Sequence, residues 1–286
     1  MTFTSTGIVP AADLPPGTPA RTRGRWVRAA LAVAFAFWTS QVAAVEPDWA
    51  QVPAGAYTSV LKLDDVGLAQ QVEAFELMTR PVTNGEFLEF VRRYPDWRRD
   101  RAPRIFVDEN YLAHWSGPTE PGSEVRADQP VTQVSWFAAL AYCEAQHARL
   151  PTWGEWEYVA AADETRADAR SDPAWRERIL GWYSRPGGRA LPPVGKTPAN
   201  LYGIRDLHGL VWEWVEDFNA MMVSADNREQ GDPDILRFCG AGAISMADRE
   251  NYAVLMRTAL LSSLQAGSTT RNLGFRCARD LQEPSP

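Results

Sequence analysis

Hydrophobic side chains recur at helical spacing in three short segments, and a hydroxyl residue precedes each segment. The hydroxyl residues are Thr83, Ser135 and Thr152, whose side-chain oxygens can accept a backbone N–H of a first helical turn. Glu86 and Glu155 follow the two threonines at the spacing of a capping box. The apolar positions are Phe87, Leu88, Phe90 and Val91 in the first segment, Phe137, Leu140, Ala141 and Cys143 in the second, and Trp156, Tyr158, Val159 and Ala160 in the third. This pattern predicts three helices.

Outside these helices the chain is expected to form short strands and long loops. Residues 49–57 and 72–78 have strand-like composition and predict a strand pair at the start of the domain. Residues 92–130 are rich in Arg, Asp, Pro and Gly and predict a long ordered loop, while residues 163–200 predict irregular structure. From residue 201 onward, short strands and turns are expected. The chain as a whole therefore predicts an α+β fold with much coil.

The first 44 residues have the features of an export signal. Four arginines between positions 21 and 28 precede an apolar stretch at 29–38, and Val42-Ala43-Ala44 offers small residues for cleavage. The apolar stretch is short for a bilayer span, and a retained membrane anchor is the alternative. We therefore expect a cleaved signal peptide at 1–44, a mature domain at 45–286, periplasmic localisation and no membrane association after cleavage.

Charge and cysteine content narrow the classes of function. The formal net charge is −7, and an acidic chain is a poor binder of nucleic acid, so we expect no nucleic-acid partner. The cysteines are Cys143, Cys239 and Cys277, which allow three pairings and leave one thiol over in an oxidising compartment. The sequence contains no CxxC motif, so neither a thioredoxin-type site nor a zinc ribbon is expected.

Six phrases occur in a fixed order across residues 48–280, and together they carry a resemblance. They are Pro81-Val82-Thr83-Asn84-Gly85-Glu86-Phe87, Pro130-Val131-Thr132-Gln133-Val134-Ser135-Trp136, Ala141-Tyr142-Cys143, Arg149-Leu150-Pro151-Thr152 with Glu155-Trp156-Glu157-Tyr158, the run from Tyr202 to Trp214, and Asn272-Leu273-Gly274-Phe275-Arg276-Cys277. In these phrases the chain resembles the formylglycine-generating enzyme family, also called the sulfatase-modifying-factor family. The resemblance implies a single α+β domain of the formylglycine-generating-enzyme fold, related to C-type lectins and low in regular secondary structure.

The resemblance also implies a disulfide between Cys143 and Cys277, with two buried free thiols as the alternative. A loop-rich exported domain would gain about 3–5 kcal/mol from closing so long a loop.

A calcium site is expected in the run from Tyr202 to Trp214. Asp206, Gly209, Val211 and Glu213 offer two carboxylates and two backbone carbonyls within eight residues, and calcium prefers oxygen ligands. Members of the family hold calcium at the matching positions. The alternative is a turn without metal in which Glu213 pairs with an arginine.

The copper chemistry of the family is not expected here. Its active members bind copper through two cysteines shortly before the final strand, and thiolates suit Cu(I). Counted back from Asn272, Arg257 falls on an arginine of the family, and the two cysteine positions fall near Asp248 and Ala253. Residues 240–276 contain no cysteine. The role of Cys239 is left open between a buried small residue, a reactive thiol and a lone metal ligand.

The residues left in the expected pocket are polar and aromatic. Glu250, Asp248, Arg257 and Tyr252 are the candidate catalytic residues, with Glu250 as the base. Trp212, Trp214, Ser262 and Gln265 are the candidate substrate-binding residues, since tryptophan can stack on a flat substrate. The alternatives are a structural salt-bridge network for the charged residues and core packing for the two tryptophans.

Two functions are compatible with this set of residues. The first is an exported oxidoreductase-type maturation factor, similar to the PvdO-like members that lack the cysteines and act in oxidation of a siderophore precursor. The second is a non-catalytic accessory protein for a periplasmic metalloenzyme, similar to the NirV-like members associated with nitrite reductase. The expected partner is accordingly a small-molecule or peptide-derived substrate, or a periplasmic enzyme.

Overall fold

A three-stranded antiparallel sheet brings the first and last strands of the described chain together. The structure is a computed structural model in which residues 48–59, 69–184, 190–218 and 252–281 are described. The strands are β1 (Trp49–Val52), β4 (Phe75–Met78) and β7 (Ala278–Asp280), in the order β1-β4-β7. Trp49 pairs with Met78, and Phe75 pairs with Asp280 on its other side. The sheet is therefore complete only when β7 has paired with β4.

Two smaller ladders complete the strands of the described ranges. Strands β2 (Gly55–Tyr57) and β3 (Gln70–Val72) are antiparallel, and β5 (Trp212–Glu213) and β6 (Leu273–Gly274) are parallel. A Cβ added to Gly274 would lie 2.6 Å from the carbonyl oxygen of Val131. Glycine is therefore needed at this position, where β6 passes directly against the backbone of a neighbouring segment.

Three helices begin where the hydroxyl residues predict them, so these three predictions are confirmed. Helix α1 (Asn84–Arg93) is capped by Thr83, α2 (Trp136–Ala145) by Ser135, and α3 (Trp153–Ala160) by Thr152. Both threonines form complete capping boxes, with Glu86 and Glu155 returning to the N-cap N–H. A 3₁₀ turn at Pro95–Trp97 follows α1.

Two further helices correct the sequence interpretation. Helix α4 (Pro173–Tyr183) lies in the stretch expected to be irregular, and α5 (Tyr252–Ser262) lies where strands and turns were expected. The start of α4 carries a usable signal, because Asp172 caps it and Pro173 occupies its first turn. The buried face of α5 is harder to recognise in the sequence, because an arginine occupies one of the positions where an apolar residue is expected. The buried residues at i, i+3, i+4 and i+7 are Val254, Arg257, Thr258 and Leu261.

The core is aromatic and is crossed by a disulfide. The ring of Tyr142 lies 5.9 Å from that of Phe87 and 5.3 Å from that of Phe275. Beside these rings Cys143 is bonded to Cys277, with 5.5 Å between their Cα atoms, so helix α2 is joined to the segment between β6 and β7. Within the described ranges no helix combines the length and the apolar character needed to cross a bilayer.

Candidate functional site

A buried ion pair anchors the region around β5. Glu213 and Arg276 are both fully buried, and they meet through two bonds: Arg276 Nη2 donates to Oε1 at 2.7 Å and Nε donates to Oε2 at 2.9 Å. Trp156 Nε1 donates to the same Oε2 at 3.0 Å. Arg276 also donates to the carbonyl oxygens of Met78 and Arg205. The carboxylate of Glu213 thus accepts three hydrogen bonds from the protein. Its pairing with an arginine is the arrangement named in the sequence analysis as the alternative to a calcium site.

A second buried arginine lies over the face of the Trp156 ring. The guanidinium carbon of Arg257 lies 3.8 Å from the centre of the Trp156 ring and 5.4 Å from that of Trp153. Its Nη2 donates to the main-chain carbonyl of Glu213 at 2.6 Å. Burial lowers the pKa of Arg257 to about 10, although Glu213, Tyr183 and Asp217 favour its charged form. Arg257 therefore remains a cation at neutral pH, and it cannot act as a general base there.

A partly exposed aromatic stack lies next to these charges. The rings of Trp212 and Tyr183 are stacked with 5.1 Å between their centres. Helix α4, which carries Tyr183, packs against α5, which carries Arg257. Trp212 keeps part of its surface exposed, whereas Trp156 is fully buried. Trp212 is thus placed where a ligand arriving from solvent could contact it.

His208 is held in one tautomer beside the stack. Its Nε2 lies 2.9 Å from the carbonyl oxygen of Ala160, and its Nδ1 lies 3.3 Å from the hydroxyl oxygen of Tyr183. A carbonyl can only accept, so Nε2 carries the proton and the Tyr183 hydroxyl donates to Nδ1. Burial among the surrounding aromatic rings, together with the charge of nearby Arg257, lowers the pKa of His208 to about 4, although the bond to Ala160 raises it. The imidazole is therefore neutral at neutral pH.

A small cavity of about 40 Å³ opens beside His208. Trp175, Trp182 and Ile179 of α4 form its apolar wall, and Arg178 pairs with Glu164 at the same cavity. Its polar lining includes Asp206 and Asn200. This volume holds only a few waters or one small group. The cavity is therefore too small to enclose a whole organic substrate in this conformation.

The predicted calcium ligands do not fit a calcium ion as they stand. Asp206 accepts bonds from the Thr197 N–H and hydroxyl and from the Gly195 N–H, and Glu213 is paired with Arg276. In both carboxylates these partners compete with a metal ion for the carboxylate oxygens. Across the described ranges no group of three or more His, Cys, Asp or Glu side chains is placed to hold a metal ion. Calcium at Asp206, Gly209, Val211 and Glu213 stays a prediction, and this geometry does not favour it.

The structure separates the predicted substrate-binding residues. Trp214 is fully buried and its Nε1 donates to the Val134 carbonyl at 2.9 Å, so it packs in the core, as its alternative interpretation anticipated. Strand β5 ends at Glu213, so the alternation that would place Trp214 beside Trp212 does not continue. Ser262 donates to Ala259 within α5, and Gln265 is exposed in the following turn.

Ser262 also lies away from the face of Arg257. It comes five residues later, about 7.5 Å along the helix and about 140° around it. Direct ligand contact by Trp214 together with Ser262 and Gln265 is therefore not supported.

Several predicted residues lie outside the described ranges. They are Glu250, Asp248 and Cys239, and the expected signal peptide at 1–44 lies outside them as well. Tyr252 is the first residue of α5, and the structure describes its place in the helix but not its side chain. These assignments stay predictions.

The sequence interpretation missed four residues that define the site. Trp153, Trp156, Tyr183 and Arg276 surround Arg257 and Glu213, yet none was singled out for chemistry. Trp153 and Trp156 are three positions apart on the predicted helix α3, which places them on one face and was visible in the sequence. Tyr183 could be found only with α4 in place, since its contacts to Trp212 and His208 are long-range.

The comparisons with known proteins agree with this architecture. The model of the sulfatase-modifying factor enzyme 1-like domain matches residues 36–281. The inactive C-alpha-formylglycine-generating enzyme 2 of Mus musculus is 30% identical over 259 residues, covering 77% of this chain and 80% of that protein. The formylglycine-generating enzyme of Bos taurus is 29% identical over 276 residues, covering 80% and 74%.

A solved structure of PvdO from Pseudomonas aeruginosa matches with a TM-score of 0.45 and 19% identity, covering 82% of this chain and 95% of that one. The family model alone spans most of the sequence, including every described strand and helix. The chain belongs to the family of sulfatase-modifying factor enzyme 1-like domains.

Proposed function

We propose that this protein is an exported, periplasmic oxidoreductase-type maturation factor that oxidises a small-molecule or peptide-derived substrate without the copper cysteines of its family. The observation that carries the proposal is the stack of partly exposed Trp212 on Tyr183, next to the buried cluster of Arg257, Glu213 and Arg276. An aromatic platform beside a fixed positive charge is suited to a flat substrate that develops negative charge during oxidation.

The sequence supports a cysteine-free chemistry at this position. Residues 240–276 contain no cysteine, so the two-thiolate copper site of active relatives has no ligands there. Two-electron oxidation of a dihydro substrate releases two protons and two electrons. A carboxylate base can accept a proton, and dioxygen as the oxidant takes up the electrons and protons to give hydrogen peroxide. Glu250 is the proposed base, Asp248 and Tyr252 are the proposed supporting groups, and Arg257 supplies a permanent charge.

Substrate oxidation tests the proposal directly. Purified protein would be incubated in air with dihydropyoverdine, a dihydro precursor of a fluorescent siderophore chromophore, while fluorescence is followed. We expect fluorescence to rise with the wild type and to rise far more slowly with Glu250→Gln and Trp212→Ala. Arg92→Gln is a matched control, because Arg92 is exposed on α1 and pairs only with Glu89 on the same helix. No fluorescence beyond that of the substrate alone would eliminate this oxidase reaction.

A non-catalytic accessory role is the second candidate. A relative that is 30% identical over 77% of this chain bears the name of an inactive enzyme, so the scaffold is compatible with loss of turnover. In this role the protein would bind a periplasmic metalloenzyme and assist its maturation. Co-expression with a copper nitrite reductase, followed by measurement of copper per reductase subunit, distinguishes it. A copper content that depends on this protein, together with no substrate oxidation, supports the accessory role.

A further inference from the structure

Arg257 is fully buried, yet most of its hydrogen-bonding capacity is unused. Within the described ranges only Nη2 has an acceptor, the main-chain carbonyl of Glu213 at 2.6 Å. Nε and Nη1 are buried and have no hydrogen-bond partner among the described residues. Buried polar groups in folded proteins are almost always paired, and an unpaired buried cation is among the most costly exceptions. The unpaired Nε and Nη1 of Arg257 therefore call for an explanation.

The described carboxylates that attract Arg257 are bonded to other groups. Both oxygens of Glu213 accept from Arg276, and Trp156 adds a further bond. Asp217 accepts the N–H of Trp153 at 2.7 Å. Their charges favour the cationic form of Arg257, but neither side chain bonds to its Nε or Nη1. An anionic group with oxygen acceptors would complete the hydrogen bonds of Arg257.

The guanidinium of Arg257 is held in place before any ligand arrives. Trp156 lies against one face at 3.8 Å from ring centre to guanidinium carbon, and Trp153 lies at 5.4 Å. The bond from Nη2 to Glu213 fixes the orientation of the plane. Because these contacts are made by α3 and β5, the guanidinium plane itself is held in position, and a ligand has to displace only the groups that cover Nε and Nη1.

We propose that Arg257 binds a carboxylate group of the substrate of this protein. A carboxylate brings one negative charge and two acceptor oxygens, which match one guanidinium with two unpaired nitrogens, Nε and Nη1. Charge-assisted bonds from guanidinium to carboxylate are strongest where water is excluded. The remainder of the substrate would lie toward the partly exposed stack of Trp212 on Tyr183. The inference rests on the proposed function, because it takes the ligand at this site to be the substrate.

Binding of simple aromatic acids tests the inference without knowledge of the substrate. Benzoate, acetate and benzamide would each be titrated into the full-length protein at neutral pH and constant ionic strength, with calorimetry and thermal unfolding as readouts. We expect saturable binding of benzoate, weaker binding of acetate, and at least tenfold weaker binding of benzamide, which has the same shape and no charge. Benzamide serves as a control that needs no mutation, so the test holds even if variants at Arg257 fold poorly.

A matched pair of variants assigns the binding to one arginine. Arg257→Gln is expected to lower benzoate affinity at least tenfold. Arg279→Gln is expected to leave it unchanged, because Arg279 also lies over a tryptophan, Trp49 at 4.3 Å, but is partly exposed and paired with Glu76. No saturable benzoate binding, equal affinity for benzamide, or unchanged affinity in a folded Arg257→Gln variant overturns the inference.

The outcomes separate this inference from the proposed function. Benzoate binding through Arg257 in a protein that oxidises nothing would contradict only the oxidase function. Oxidation that saturating benzoate does not inhibit would contradict only the carboxylate site.

Discussion

The guanidinium carbon of Arg257 lies 3.8 Å from the centre of the Trp156 ring, and the indole N–H of that ring donates to Glu213. One tryptophan therefore contacts both a cation that has no described carboxylate partner and a carboxylate that is paired with Arg276. The two buried arginines consequently have different roles. Arg276 holds β5 and β6 to the core, whereas Arg257 provides charge.

Replacing Arg276 by methionine is expected to lower the free energy of unfolding by about 3–5 kcal/mol. The variant leaves Glu213 buried without its cation, which is the costly way to break a buried ion pair. Urea denaturation measures the change. Arg279→Met is the matched control, because Arg279 pairs with Glu76 on a partly exposed surface and should cost no more than about 1 kcal/mol. Equal losses in the two variants would contradict the role given to Arg276.

Replacing Gly274 by alanine is expected to destabilise the fold by about 1–3 kcal/mol, the usual cost of overpacking. The added methyl would lie 2.6 Å from the Val131 carbonyl oxygen, and main chain cannot move aside as a side chain can. Gly267→Ala is the control, since its added methyl meets nothing closer than 3.8 Å. Thermal unfolding of both variants checks the prediction, and a Gly274→Ala protein as stable as the control would refute it.

Acidification is expected to destabilise the protein through His208. The unfolded chain takes up this proton near the ordinary pKa of 6.5, whereas the pKa of buried His208 is lowered to about 4. Stability is therefore full above about pH 6.5 and falls as the pH drops toward 4. Between about pH 7 and about pH 5 this histidine alone should cost about 2 kcal/mol.

Variants at two histidines isolate that contribution. In His208→Gln the loss of stability between neutral and mildly acidic pH should shrink by about the amount assigned to His208. His147→Asn should leave the loss unchanged, because His147 is exposed and its left-handed backbone conformation suits asparagine. His114, whose pKa burial also lowers to about 4, accounts for part of the remaining slope. An undiminished slope in His208→Gln would contradict the prediction, because it would mean that His208 has the same pKa in the native and unfolded states.

Removing the bond between Cys143 and Cys277 is expected to lower stability by about 4–5 kcal/mol, since the closed loop spans 134 residues. The double variant Cys143→Ala, Cys277→Ala tests this by denaturant unfolding. A reducing agent should shift the unfolding midpoint of the wild type and leave that of the double variant unchanged. An unfolding midpoint of the wild type that does not change after full reduction of the disulfide would contradict the prediction.

The sequence predicted the helices whose signals are local. Thr83, Ser135 and Thr152 each accept a hydrogen bond from the backbone N–H three residues later, so these caps can be recognised without knowledge of the fold. The motifs that placed the chain in its family are likewise contiguous. The same local signals predicted α3 and counted Trp156 among its apolar positions. The contact of Trp156 with Arg257 was not predicted.

The parts that could not be predicted depend on long-range contacts. Arg257 lies on the buried stripe of α5, where an apolar residue is the usual occupant, so the helix pattern was obscured. Trp214 was grouped with Trp212 because either indole could stack on a flat substrate, but Trp214 is buried and its Nε1 donates to the Val134 carbonyl, 80 positions away. The pairing of Glu213 with Arg276 joins residues 63 positions apart, and among many arginines the sequence does not single out this one.

The pairing of β7 with β4 affects how this protein folds. Strand β7 pairs with β4, and Arg276 reaches the carbonyl of Met78, 198 positions earlier. Contacts between such distant segments form late and slowly, because a long loop must close first. Until β7 has paired, one side of β4 keeps its N–H and C=O groups open to pairing with another molecule. Slow closure of this sheet therefore exposes the folding chain to aggregation.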